Sequence, residues 1–392
     1  MKKQLKTSNI FSDGPVPAFA IAAPGLAALV ADEISALGID VASIEPAGVS
    51  FTATAEQLFR VNLWSRIASR VLVRIATFVA RDFATLEKRA KLIDWSAVID
   101  RDAQVKLRVT CRKSRLYHSD AVAERIARAI GGRVAGVVVD QRGSADEDEQ
   151  SANTQLIVVR FDHDECTISA DTSGVLLHKR GWRRAVAKAP LRETLAAAML
   201  AACKWRGDRA LVDPFCGSGT IGIEAALIAC DIAPGNGRRF AMETWAGVSA
   251  GMCRDVREEA SRRVRAGVDV PIVMSDRDAG ACDAARANAE RAGVLLDVRI
   301  VQRSLSDVDL AAVASGGLLL TNPPYGLRVS EGADLRGLYS RLGDVVRGGG
   351  PGWQLALLAP EQRLAVPLRM PLRSVLHTSN GGIDVSLQLV YA

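Results

Sequence analysis

Metal-ligand and disulfide patterns are what this sequence has least of. It holds four histidines and seven cysteines (111, 166, 203, 216, 230, 253 and 282), an odd, scattered set with no C-x-x-C pair. That spacing argues against a disulfide framework and a zinc site, so a reducing cytosol and no metal are expected. Long apolar runs are missing too: Met1-Lys2-Lys3 is basic, but Thr7 to Pro17 gives no continuous apolar stretch, and later alanine-rich runs are broken by charge. Neither a signal peptide nor a membrane span is expected, which fits a cytoplasmic location. No repeat of the length a solenoid needs is present. The absence of G-K-[ST] excludes a phosphate-binding nucleotide loop of that kind.

What is present is a large amount of core material. The 392 residues are 48% hydrophobic with a mean hydropathy of +0.11, enough for two or three domains. Fifty Lys+Arg against 44 Asp+Glu give +6, a mild excess that suits a polyanion partner without requiring one.

Chemistry concentrates in Leu318-Leu319-Leu320-Thr321-Asn322-Pro323-Pro324-Tyr325-Gly326. An apolar run ending in an amide, two prolines and an aromatic ring reads as a buried strand carrying a rigid loop at its carboxyl end. The amide oxygen of Asn322 and the backbone carbonyl oxygen of Pro323 can both accept from one NH2 group, and Tyr325 can stack on the ring that bears it. The plain alternative is a proline-rich turn after a strand.

Along the sequence, the first half alternates short strands and helices. Strands are expected over Phe19 to Ile21, Val49 to Ala53, Val71 to Phe78, Val105 to Thr110, Leu156 to Phe161 and Cys166 to Ser169. Helices are expected over Leu26 to Leu37, Ala55 to Ser69, Phe83 to Ile93 and Ala121 to Ile130, the last capped by Ser119-Asp120. Arg112, Lys113 and Arg115 lie where a strand hands over to a helix amino end, a place that attracts phosphate or is simply solvated. Gln141 to Asn153 is polar and aperiodic, hence an exposed loop. A second basic cluster, Lys179-Arg180-Gly181-Trp182-Arg183-Arg184, interleaves cations with a ring, as a nucleic-acid site or a charged linker would.

Beyond residues 175 to 190 the pattern becomes strand then helix, which implies an α/β fold with a parallel sheet covered on both faces. Ala210-Leu211-Val212 runs into Asp213-Pro214-Phe215-Cys216-Gly217-Ser218-Gly219-Thr220 and a helix. Gly217, Gly219 and Gly222 meet the G-x-G-x-x-G spacing formally, but Asp213 and Pro214 would crowd a pyrophosphate. A ligand with an ammonium and a carboxylate suits this loop better. Asp276, closing the next strand, is the expected ribose ligand. Ala233 to Val268 reads as an insertion with its own helices. Strands at Val298 to Gln302, Leu318 to Thr321 and Trp353 to Ala359 follow, then a hairpin through Asn380-Gly381-Gly382.

Asp213 to Thr220 together with Thr321 to Gly326 resembles the class I S-adenosylmethionine-dependent amino-methyltransferases. Asp171 to Arg183, Ala189-Pro190-Leu191, Asn62 to Leu72 and Gly337 to Asp344 are similar to one subgroup, the bacterial THUMP-domain RNA guanine-N2 methyltransferases. The likeness runs from about Phe19 to Ala392. It implies a ferredoxin-like piece (residues 15–60), a THUMP RNA-binding domain (61–170), a linker (171–190) and a Rossmann-like methyltransferase domain with a seven-stranded, mostly parallel sheet (191–392). It implies S-adenosylmethionine as cofactor, held by Asp213, Phe215, Gly217, Ser218, Gly219, Thr220, Asp276 and Asn322. Asn322, Pro323 and Tyr325 form the implied catalytic set. The expected RNA contacts, from the two basic clusters, are Arg112, Lys113, Arg115, Lys179, Arg180 and Arg183. Where the family often has an acidic adenine ligand, this sequence reads Gln302-Arg303-Ser304, leaving Ser304 as the acceptor. No second, fused methyltransferase is expected. The implied substrate is ribosomal rather than transfer RNA, while N-P-P-Y alone is equally compatible with DNA adenine-N6 chemistry.

Overall fold

A computed structural model of the protein describes residues 9–141, 154–184, 191–325, 335–360 and 366–390. Most of the expected loop after Gln141, the Ala189-Pro190 pair and Gly326 lie outside these residues. The protein divides into two compact units, the first made of residues 1–21, 30–177 and 238–259, the second of 22–29, 178–237 and 260–392.

The first part of the sequence runs β1 (Val16–Ile21), α1 (Ala27–Ala36), β2 (Val41–Glu45), β3 (Gly48–Ala53), α2 (Ala55–Trp64), β4 (Arg70–Val79) and α3 (Phe83–Ala90). It continues through β5 (Gln104–Arg112), α4 (Ser119–Gly131), β6 (Val138–Asp140), β7 (Thr154–Asp162) and β8 (Glu165–Asp171). All eight strands form one sheet in the order β2-β3-β1-β4-β8-β7-β5-β6. The long strand β4 pairs antiparallel with both β1 and β8. The expected ferredoxin-like and THUMP pieces therefore share one continuous sheet. The edge strands β2 and β6 are too short and exposed to leave a periodic trace in the sequence.

Two expected elements change. Helix α2 stops at Trp64 instead of continuing to Ser69, because Glu33 takes Ser65 Oγ (2.8 Å) and the N–H groups of Arg66 (3.0 Å) and Ile67 (3.2 Å). Those N–H groups would otherwise extend the helical ladder. Helix α4 begins at Ser119, and His118 stands at its cap without a side-chain bond, so the Ser119-Asp120 cap does not form.

Behind β8 the backbone is fixed by a buried pair, Arg70 with Asp171, whose guanidinium also donates to Gly174 O at 2.6 Å. The expected insertion does carry its own elements, a 3-10 turn at Ala241–Thr244 and α7 (Ala250–Arg262). Its first part belongs to the first unit: Arg238 donates to Leu176 O (2.8 Å), Trp245 Nε1 to Gln155 Oε1 (2.9 Å), and the Phe240 ring meets the edge of Phe59.

Within the second unit are α5 (Glu193–Ala202), β9 (Ala210–Asp213), α6 (Thr220–Ala229), β10 (Ile272–Asp276), α8 (Ala279–Arg291), β11 (Arg299–Gln302) and β12 (Gly317–Thr321). After these come α9 (Leu335–Gly348), β13 (Trp353–Ala359), β14 (Arg373–Asn380) and β15 (Ile383–Val390). Its seven strands run β11-β10-β9-β12-β13-β15-β14. The first five are parallel neighbours, and β15 is antiparallel to both β13 and β14. Leu318, Leu319 and Leu320 are fully buried, as strands covered on both faces require. Helix α9, which was not among the expected elements, contributes Tyr339, Leu342 and Val346 to the core around Leu319, Trp353 and Leu355. Among the described residues no helix is long and apolar enough to cross a membrane, and no three potential metal ligands come together.

Candidate active site

Three adjacent parallel strands deliver the site. Strand β9 lies between β10 and β12, and each ends in a polar residue: Asp213, Asp276 and Thr321. In such sheets the crevice at the carboxyl ends receives ligands.

The loop leaving β9 is folded onto the end of β10. Cys216 N donates to Ser275 O (3.0 Å), Gly217 N to Asp276 Oδ2 (3.1 Å) and Gly219 N to Cys216 O (2.8 Å). Gly219 has φ +88°, and a Cβ there would come within 3.1 Å of the Ala285 methyl on α8. Gly222 sits in the first turn of α6, where a Cβ would stand 2.2 Å from Met274 Sδ, so its absence lets the helix close on β10. The three glycines thus serve backbone approach and helix packing. Gly217, also left-handed at φ +50°, has open space where a Cβ would point. A ligand can approach the backbone there.

Asp276 is anchored by backbone N–H groups on both oxygens, Gly217 N on Oδ2 and Asp278 N on Oδ1 (3.0 Å). Asp213 is almost wholly buried, its Oδ1 taking Thr321 Oγ1 (2.7 Å) and Phe215 N (3.2 Å). Burial pushes its carboxyl up to about 7, opposed by those two hydrogen bonds and reinforced by the negative Asp276. Phe215 itself is partly buried and packs against the core that includes Leu319 and Leu357. Ser218 is buried, and its C=O accepts Asn288 Nδ2 (3.0 Å).

Strand β12 then presents Asn322. Its Oδ1 is closed off from solvent and has no hydrogen-bond partner among the described residues. A buried acceptor left open is rare and costs stability, so it marks a place where a donor belongs. Pro323 is buried, Pro324 exposed, and Tyr325 partly buried with its hydroxyl taking Asn380 Nδ2 at 2.7 Å. Asn380 closes β14 at its turn with β15. Sequence reasoning places that residue only in a hairpin turn; nothing in its spacing signals a bond to Tyr325.

The remaining candidates divide. Ser304 is exposed and caps the short turn Leu305–Asp307, its Oγ donating to Asp307 Oδ2 at 2.7 Å. Its lone pairs stay available, and Asp307 lies beside it as its hydrogen-bond partner. Arg112, Lys113 and Arg115 are exposed together. Their loop is shaped by Asp164 in the β7–β8 turn, whose Oδ1 accepts Arg115 N (2.7 Å) and whose N–H reaches Ser114 Oγ (2.9 Å).

The second basic cluster requires a correction. Arg180 is buried against Glu224 of α6 (3.3 Å), and Arg183 is held by Glu193 (2.9 Å), Leu191 O (2.7 Å) and Thr220 Oγ1 (2.8 Å). These guanidiniums neutralise buried carboxylates inside the second unit instead of facing phosphate. Trp182 is buried with them and Lys179 is partly exposed. A charge-rich run with an aromatic ring reads the same whether it points outward or inward, since only the two distant glutamates decide it.

Comparison with known proteins shows the family. The family described as "RMKL-like, methyltransferase domain" matches residues 180–387, more than half of the sequence. The chain belongs to this family of methyltransferases. Its amino-terminal part matches the "RlmL ferredoxin-like domain" over residues 18–72 and the "THUMP domain" over 80–171. It is similar to the "Ribosomal RNA large subunit methyltransferase K/L" of Syntrophotalea carbinolica, 38% identical over 96% of this chain and 53% of that protein. The chain thus spans about half the length of the K/L relatives it matches. A relative of its own length, the "Putative RNA methyltransferase slr0064" of Synechocystis, is 31% identical over 97% of this chain and 98% of that one. The solved structure of SMU.472, "a putative methyltransferase complexed with SAH", superposes with a TM-score of 0.84 at 29% identity, covering 96% of this chain and 98% of its own.

Proposed function

We propose that the protein transfers a methyl group from S-adenosylmethionine to the exocyclic N2 amine of a guanine in RNA, with large-subunit ribosomal RNA as the substrate and the cytosol as the place of action. The observation that carries the amine reading is the solvent-shielded Oδ1 of Asn322 at the end of β12, which has no partner among the described residues. Support for RNA comes from the THUMP match and the exposed Arg112, Lys113 and Arg115. Support for the ribosomal substrate comes from the names of the K/L relatives.

The residues present fit the cofactor. Asp276 offers carboxylate lone pairs to a ribose diol, Asp213 a buried negative charge to an ammonium, and the Gly217–Gly219 backbone a surface a ligand can touch without side-chain hindrance. When bound, S-adenosylmethionine supplies a methyl group that is already strongly electrophilic. The protein's own task is then alignment. Asn322 Oδ1 and the Pro323 carbonyl oxygen accept from the substrate NH2, which turns the nitrogen lone pair toward the methyl and favours a pyramidal nitrogen as the bond forms. Tyr325, steadied by Asn380, stacks on a base swung out of its helix. Unstacking that base costs a few kcal/mol, offset by phosphate contacts elsewhere on the protein.

The direct test is transfer of labelled methyl to bulk RNA from a strain lacking this protein, followed by nucleoside mapping. Label in N2-methylguanosine of the large ribosomal RNA is expected. Label in transfer RNA, in DNA adenine, or in no nucleic acid would overturn the corresponding part of the proposal. A second expectation concerns the exposed basic loop. Replacing Arg112, Lys113 and Arg115 by glutamine should weaken RNA binding about tenfold or more near physiological salt and flatten the slope of log affinity against log salt by about two to three. An unchanged slope would make the loop ordinary solvated surface.

A further inference from the structure

We propose that Arg183 is a positioning residue, presenting the Thr220 hydroxyl proton to the carboxylate at the amino-acid end of the cofactor. The inference rests on the S-adenosylmethionine reading above. Arg183 reaches Thr220 from outside the glycine loop. One terminal nitrogen donates both to Leu191 O (2.7 Å) and to Thr220 Oγ1 (2.8 Å), while Nε stands 2.9 Å from Glu193 Oε1. The guanidinium carbon also lies 5.5 Å from the centre of the Trp182 ring. With the Arg183 side chain 12% exposed and that of Glu193 4% exposed, the group is held in place from four sides.

The consequence falls on the hydroxyl. Thr220 opens α6 and is only 4% exposed. A hydroxyl that accepts from a guanidinium keeps its own proton for another acceptor, and no described residue takes it. Thr220 is therefore a nearly buried donor without a protein acceptor among the described residues, at the end of the loop whose glycines admit a ligand. The proton, together with the first N–H groups of α6, suits a carboxylate. Asn288 holds the other side of the turn: its Nδ2 donates to Ser218 O at 3.0 Å, so Ser218 and Thr220 are gripped from α8 and from Arg183. None of these bonds would be made to the cofactor by Arg183 itself, which is why it acts through Thr220.

Calorimetry on the 392-residue protein separates this from a structural role. The two probes are S-adenosylhomocysteine and methylthioadenosine, which keeps the adenosine and the sulfur but lacks the amino-acid end. Arg183→Gln and Thr220→Val should each weaken S-adenosylhomocysteine about tenfold and leave methylthioadenosine within about twofold. The two together should be no worse than either alone, and Thr220→Ser should bind as the wild type does. If Arg183→Gln destabilises the protein by stranding Glu193, the paired change Arg183→Gln with Glu193→Gln keeps that contact neutral and is expected to show the same selective loss. Equal weakening of both probes, or of neither, overturns the proposal. Failure of the wild-type protein to bind either probe overturns the cofactor reading instead.

Discussion

Asn322→Ala is expected to lower methyl transfer by about 100-fold or more while S-adenosylhomocysteine binds within a few fold of the wild type. The same change should make the ligand-free protein no less stable. Asn322 Oδ1 is a solvent-shielded acceptor that no described residue meets, and such a group costs about 1 to 3 kcal/mol. Truncation removes that cost. A residue that lowers stability and raises turnover is the expected form of a preorganised site. The measurement is single-turnover transfer together with thermal melts in the absence of ligand. Full transfer activity would remove Asn322 from the catalytic set, and a melt lowered by several degrees would mean that its amide holds the loop instead.

How far the sequence alone reaches follows from which residues speak locally. The strands of the second unit were legible because their burial is written as short apolar runs: Leu318, Leu319 and Leu320 are buried on both faces, and Trp353–Ala359 was bounded correctly. The strand-end positions of Asp213 and Asp276 were legible because each follows a short apolar run. What stayed hidden depended on partners distant in sequence. Glu33 ends α2 from the preceding helix, Asn380 meets Tyr325 across the hairpin, and Glu193 and Glu224 draw Arg183 and Arg180 inward. Helix α9 was missed for a different reason. Its amphipathic face, Tyr339, Leu342 and Val346, is regular, but Gly337 and Gly343, both weak helix formers, interrupt the run.

The pH dependence of the candidate site follows from Asp213. Its carboxyl titrates near 3.8 when exposed and is pushed by burial up to about 7 in the folded protein. Folding therefore takes up a proton between those limits. The associated stability is full below pH 4 or so and is lost as pH rises through about 7, by at most about 4 kcal/mol. Asp213→Asn keeps an oxygen to accept from Thr321 and Phe215, and it removes the buried charge. The variant should melt higher than the wild type at pH 8 and by a difference that shrinks toward pH 5. Cofactor binding moves the other way. An ammonium beside Asp213 favours the ionised carboxylate, so wild-type affinity for S-adenosylhomocysteine should rise with pH through about 7 and release a proton below it. Asp213→Asn should bind about tenfold or more weakly at pH 8, with affinity almost flat in pH over the same range. Calorimetry in two buffers of different ionisation enthalpy reads the proton directly. A wild-type affinity that is flat from pH 6 to 8, with no proton released, would place the ligand's ammonium away from Asp213 and leave that carboxyl with the single task of holding Thr321, at the head of the Asn322 loop.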